Sequence, residues 1–188
     1  MLKKLFATAI SLIFNPSKEW AELSKKQTDD HKTFLTGYVI PFMGLILLAT
    51  FFGVLFTRKE IDLQIALKES IVVLLSMFGG FFIASYLVQK VWYFFFRSEL
   101  SMKLSQRFVG YSSSLLYCLN ITISLLPAFF FLHFVVIYTI YIVWEGVIPF
   151  LEVKETEKLK FVSFSTAIII LTPMLISFFL VKLMPGLK

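Results

Sequence analysis

Hydrophobic residues run through this chain in long, nearly unbroken blocks rather than at amphipathic spacing. An α-helix rises about 1.5 Å per residue, so about 20 apolar residues cross the hydrocarbon core of a bilayer. Residues 34–57 satisfy that length with only small or weakly polar interruptions. Residues 71–96 satisfy it with Gln89 and Lys90 near their end, and residues 161–184 do so with Pro173 inside and Lys182 near the far end. Between them, residues 108–151 form one stretch with no Lys or Arg and a single acid, Glu145. As a straight helix that stretch is about twice as long as a bilayer core is thick, so it must fold back on itself. Pro127 lies near its middle, and a turn within residues 127–134 divides it into spans at 108–127 and 131–151.

The first 33 residues follow a different pattern. Leu5 to Phe14 is apolar but too short to span, and Lys3 and Lys4 ahead of it imitate the start of a signal peptide. The following Asn15-Pro16-Ser17-Lys18 has no small-x-small cleavage site, so the segment reads as uncleaved. Asn15 before Pro16 is a helix start, with Asn as N-cap and Pro at the first helical position. Beyond it Trp20 and Leu23 share one face, while Lys18, Glu19, Glu22, Lys25 and Lys26 fall mostly elsewhere. This predicts two short helices lying on the membrane surface, with Trp20 at headgroup depth. The expected fold is therefore all-α: a polytopic membrane bundle of five transmembrane helices in residues 34–188, preceded by an interfacial leader in residues 1–33.

Composition supports the membrane reading. The chain is 58% hydrophobic and 16% charged, with 23 Phe among 188 residues. A soluble domain of this length has too little interior to bury so much apolar surface, and a disordered chain is poor in such residues. The formal charge of +6 then reports topology and lipid contact rather than nucleic acid, which is not an expected partner. One membrane side collects the six leader Lys, Arg97, Lys103, Arg107, Lys154, Lys158 and Lys160; the other has Arg58, Lys59, Lys68, Lys182 and Lys188. Positive charge favours the cytoplasm, which places the N-terminus inside and the C-terminus outside.

Candidate chemistry is sparse. Cys118 is the single cysteine, and His31 and His133 are too few and too far apart for a metal cluster, so no metal or cofactor is expected. No hydrolase, zinc-protease or phosphate-loop motif occurs, and His133 falls at the outer turn, far from Ser112, Ser113 and Ser114. Lys90 and Glu145 fall at matching depths on spans that run in the same direction. An ionised side chain at helix depth costs about 2.5–3.5 kcal/mol, which makes a Lys90–Glu145 ion pair the sharpest structural expectation. The alternatives are that both side chains snorkel to the interface, or that Glu145 faces a cavity as a proton or cation site. Asn120 is a candidate interhelical polar contact. Ser76, Gly80 and Ala84 form a small-residue ridge, and Gly110 with Ser114 and Ala49 with Gly53 repeat its spacing; such ridges let helix backbones approach closely, within a chain or between copies.

A cytosolic leader with Asn15-Pro16-x-x-x-Trp20, then Tyr38 to Pro41 opening the first span, resembles the Yip (Ypt/Rab-interacting protein) family in its short prokaryotic form. Gly110-Tyr111-Ser112 at the start of the third span, Pro127 at its end and Trp144-Glu145-Gly146 closing the fourth extend the resemblance over nearly the whole chain. Two features of eukaryotic relatives do not occur in these residues: a long hydrophilic N-terminal region and an Asp-Leu-x-Gly-Pro stretch. The proline that often follows Gly-Tyr-Ser is replaced by Ser114 and Leu115. What the resemblance implies is a fold and a topology, with action through partner proteins in membrane traffic and shaping; it carries over no site residue and no GTPase binding.

The functional expectation is a non-enzymatic membrane scaffold or adaptor that binds partner proteins or organises lipid, self-association included. By resemblance, its expected location is a bacterial inner membrane. The alternative is a small transporter or channel component, such as the substrate-binding membrane subunit of a vitamin importer. The first span lacks the Ala-x-x-x-Ala pair by which such subunits grip their motor.

Overall fold

A computed structural model describes residues 2–26, 31–57 and 62–184, and among these all regular structure is helical. Arg58, Lys59 and Lys188, which enter the charge asymmetry above, lie outside the described residues. Two leader helices, α1 (Leu2–Phe14) and α2 (Pro16–Lys25), precede the bundle. Among the described residues four helices are long and apolar enough to cross a membrane: His31–Thr57, Leu63–Phe96, Pro127–Leu151 and Glu155–Leu183. A fifth crossing is the pair Met102–Ser112 and Ser114–Leu125, bent by 44° at Ser113. They are called the first to fifth spans in chain order, the bent pair being the third.

Local chemistry accounts for the irregularities. In the first span a π turn occupies Leu35–Val39. Pro41 has no N–H to donate and its ring crowds the carbonyl four residues back, so the turn widens and Ile40 donates to the Leu35 carbonyl instead. The second span begins at Leu63, well before the apolar stretch, because the Asp62 carboxylate accepts the Ile65 N–H at 3.0 Å and caps the helix. Ser101 caps the third span in the same way through Leu104 N–H. At the bend of that span the Ser114 hydroxyl donates to the Tyr111 carbonyl, a back-bonding that tilts helices. The helix ends at Leu126 (φ −130°, ψ 73°), and Pro127 opens a 3₁₀ segment through Tyr138 before α-helix resumes at Thr139. Phe129 (φ −88°, ψ 30°) is the non-helical residue of the reversal, within the window where the turn is expected.

The second span is central, packing on the first, third and fifth; the first also packs on the third, and the fourth lies between α2 and the fifth. Small residues set these distances. Ser76, Gly80 and Ala84 are buried, and a Cβ on Gly80 would come within 3.0 Å of the Pro173 backbone in the fifth span. Apolar contact alone does not distinguish a neighbouring helix from lipid, so close backbone approach carries much of the attraction. The burial pattern agrees: Ser70, Ser85, Ser105, Ser112 and Ser114 are buried, while Phe56, Phe134 and Phe179 face outward. That inversion of a soluble protein's pattern suits a lipid surround.

Among the described residues two non-glycine residues end helices in the left-handed region, Arg97 (φ 52°) and Glu152 (φ 58°). A side chain there costs about 1–2 kcal/mol against glycine. Glu152→Gly is therefore expected to raise the unfolding temperature in detergent, and an unchanged or lower value would contradict the assigned backbone.

Candidate functional site

The leader is built into the bundle. α1 and α2 turn at Asn15, where Pro16 occupies the first helical position and the Asn15 side chain makes no capping bond. Leu5, Ala9 and Leu12 of α1 and Trp20 and Leu23 of α2 are buried. Trp20, expected at headgroup depth, is fully buried against protein, and its indole N–H donates to the Ile142 carbonyl at 2.9 Å. The ring lies on Gly146, where a Cβ would come within 2.8 Å of indole Cδ2 and Cζ2. At the turn, the Tyr138 hydroxyl donates to the Ile13 carbonyl at 2.9 Å.

An aromatic cluster continues from Trp20. Its ring centroid lies 5.1 Å from that of Phe150, 5.6 Å from Phe108 and 6.1 Å from Tyr111. Tyr111 in turn lies 4.9 Å from Tyr38 and 5.0 Å from Phe34, and the Tyr38 hydroxyl bonds the Ser114 hydroxyl at 2.5 Å. Each such aromatic pair adds about 0.5–1.5 kcal/mol beyond its area burial. Residues far apart in the chain that carry the family resemblance (Trp20, Tyr38, Gly110-Tyr111 and Gly146) thus meet at one end of the bundle, where a Cβ on Gly110 would press on Phe34 and Phe81.

A pocket of about 390 Å³ opens beside this cluster, between the leader and the bundle. Lys4 contributes from α1, Glu19 from α2 and Lys26 from just past its end, Arg107 from the third span, and Tyr38 and Tyr111 from the aromatic wall. Arg107 is buried, with 6% of its surface exposed, whereas Lys4 and Lys26 are exposed.

The polar residues singled out in the sequence lie elsewhere. Lys90 has its ammonium 5.3 Å from the centroid of the Tyr86 ring, and Glu145 is half-buried on the fourth span beside Trp144. Among the described residues no ion pair joins the two. Asn120 donates from Nδ2 to the Leu116 carbonyl of its own helix at 2.8 Å. Asn120 and His133 also line a groove of about 510 Å³ between the second, third, fourth and fifth spans, with Ser76 and Ser177 among the polar lining and Met174 and Phe178 among the apolar. Glu145 lines neither cavity. Among the described residues no three His, Cys, Asp or Glu side chains come together as metal ligands.

The depth of the cluster follows from helix geometry. From Phe130, past the reversal at Phe129, the chain rises about 2.0 Å per residue to Tyr138 and about 1.5 Å thereafter, so a span that starts there uses up a hydrocarbon core of roughly 30 Å near Gly146. On that count Gly146, under the Trp20 ring, stands at the edge of the core, with Glu145 just inside it and Ile142 about one turn deeper.

A family model for the Yip1 domain matches residues 10–180, from the second half of α1 almost to the end of the fifth span. No curated protein matches the chain, and no solved structure does.

Proposed function

Because the chain belongs to the Yip1 domain family, an integral multi-pass membrane protein by its helices, we propose that it is a non-enzymatic adaptor that holds protein partners at its leader end. The observation that carries this reading is the locking of α1 and α2 against the bundle by Trp20. A free polar tail would order only on binding and lose affinity to that ordering, whereas a docked leader presents a fixed surface. Lys18, Glu22 and Lys25 of α2 point outward from that surface. Loop charge supports placing this end in the cytoplasm, and the prokaryotic character of the resemblance supports a bacterial cytoplasmic membrane as the location.

Co-purification of the full chain from its source cell, in nanodiscs with mass spectrometry, tests the proposal. The expected result is a stoichiometric protein partner that is lost when Lys18, Glu22 and Lys25 are together replaced by Ala. A stoichiometric ATPase subunit, or a partner indifferent to the triple substitution, would overturn it. A small transport component is the second reading, favoured by the groove at Asn120 and His133. Solute flux in liposomes that Asn120→Leu abolishes is the result expected of it.

A further inference from the structure

Four spans each place one polar side chain in the groove of about 510 Å³: Ser76 from the second, Asn120 from the third, His133 from the fourth and Ser177 from the fifth. The four share a level. The second and fifth spans run antiparallel and cross tightly at Gly80 and Pro173. One helical turn from that crossing, toward the reversal at Phe129, Ser76 precedes Gly80 and Ser177 follows Pro173, so the two serines stand at the same height. Asn120 lies one turn beyond Leu116, which borders the same crossing. Asn120 comes before Leu126 and His133 after Phe129 at similar remove, each about 8–9 Å from the reversal by α and 3₁₀ rise.

The groove is blind toward the leader. A Cβ on Gly80 would come within 3.0 Å of the Pro173 backbone. The void bordered by Gly80, Leu116 and Pro173 is about 10 Å³, a size that admits one water. On the open side of the groove Met174 and Phe178 are 61% and 55% exposed, a face that meets acyl chains in a lipid surround. A dead end that opens sideways suits a resident amphiphile better than a solute in passage.

Hydrogen bonding defines the head of that amphiphile. Ser76 Oγ donates to the Val72 carbonyl at 2.7 Å, and Asn120 Nδ2 to the Leu116 carbonyl at 2.8 Å. His133 Nδ1 meets the Phe130 carbonyl at 2.7 Å; a carbonyl only accepts, so Nδ1 carries the proton and Nε2 of the neutral ring is an acceptor. Among the described residues no hydrogen bond joins any two of the four polar side chains, so they do not tie the spans together. Three donors are turned to their own backbone, which leaves Ser76 Oγ, Asn120 Oδ1 and His133 Nε2 as acceptors for a ligand that brings donors. The residues lining the groove are all uncharged, and Lys182 stands at its mouth with its ammonium 4.2 Å from the Phe178 ring centroid. An ionised head would lie at membrane depth without a counter-charge in the lining, which disfavours it.

We propose that this groove binds an uncharged lipid of the acylglycerol class, its free hydroxyls donating to Ser76, Asn120 and His133 and its chain lying along Met174 and Phe178. The site is independent of the adaptor reading, which concerns the leader. It gives the groove a resident lipid in place of the solute of the second reading, and the two fail separately: solute flux without lipid binding would uphold that reading and overturn this one.

The experiment uses the full chain in mild detergent, titrated with a medium-chain monoacylglycerol, with the methyl ester of the same fatty acid, with phosphatidylglycerol of the same chain length, and with glycerol. Binding is read by native mass spectrometry and by the shift in unfolding temperature. The monoacylglycerol is expected to bind and stabilise where the other three do not. Asn120→Leu removes an acceptor while its helix keeps its backbone bonds, and is expected to weaken binding about fivefold, the loss of one hydrogen bond. His133→Phe, at an exposed position, is expected to weaken it to a similar extent. Equal binding of the methyl ester would reduce the site to a chain groove, stronger binding of phosphatidylglycerol would assign it to a charged head drawn by Lys182, and equal binding of glycerol would assign it to a solute. Each of these, or undiminished binding by both variants, would overturn the proposal.

Discussion

Gly53→Ala is expected to abolish the folded protein, while Gly44→Ala in the same helix stabilises it. A Cβ on Gly53 would overlap the Ser124 carbonyl oxygen of the third span and come within 2.6 Å of its carbon. Both atoms are backbone, so no side chain can swing aside and the two helices must separate. Separation also breaks the contact one turn away, where the Thr50 and Ser124 hydroxyls meet at 3.1 Å. Overpacking of this kind costs about 1–3 kcal/mol where neighbours can yield, and more where they cannot. Gly44, by contrast, faces outward, and a methyl added there would meet nothing within 4 Å. Ala at that position recovers the roughly 0.5–1 kcal/mol that glycine forfeits in a helix. Monodisperse yield and denaturant midpoint in detergent check both. Equal behaviour of the two variants would mean that the first and third spans do not meet at Gly53.

The spans are legible because crossing a bilayer is a constraint on length and polarity, and both are written directly in the sequence. Which apolar face meets protein and which meets lipid is not, because a Leu or Phe satisfies either. Only small residues break that degeneracy: Ala49-x-x-x-Gly53 and Ser76-x-x-x-Gly80 mark two seams as places of close approach. The same degeneracy hides the docking of the leader. Trp20 and Leu23 make an apolar face that suits a membrane surface as well as a protein groove, and the one sign of a groove is Gly146, a glycine more than a hundred residues away.

Depth is obscured for a different reason. Placing Glu145 inside the membrane assumes an α-helical rise throughout the fourth span. The 3₁₀ turns between Phe129 and Tyr138 are longer per residue, so Glu145 stands nearer the inner headgroups than an all-α count places it. Nothing in residues 127–138 announces a 3₁₀ helix of that length. The pocket is equally illegible, since Lys4, Lys26 and Arg107 become neighbours only after the leader folds back.

Trp20→Ala is expected to release the leader from the bundle. The substitution removes the largest fully buried side chain among the described residues and opens a cavity among Phe108, Tyr111 and Phe150, a change that typically costs about 3–5 kcal/mol. Because the lost contacts join the leader to the third and fourth spans, the cost should fall on the leader. Protease cleavage near Lys18 and Lys25 is expected to accelerate while the spans remain resistant. Trp20→Phe keeps most of the ring packing and loses the bond to the Ile142 carbonyl, a change of about 1 kcal/mol, so it should be cleaved at an intermediate rate. Gly146→Val should mimic Trp20→Ala by driving the indole off its seat. In the Trp20→Ala background, the same Val enters vacated space and should add little. That non-additivity distinguishes a direct ring-on-glycine contact from two separate injuries to the fold. Additive losses in the double variant would place Trp20 somewhere other than on Gly146, and with it the leader somewhere other than on the bundle.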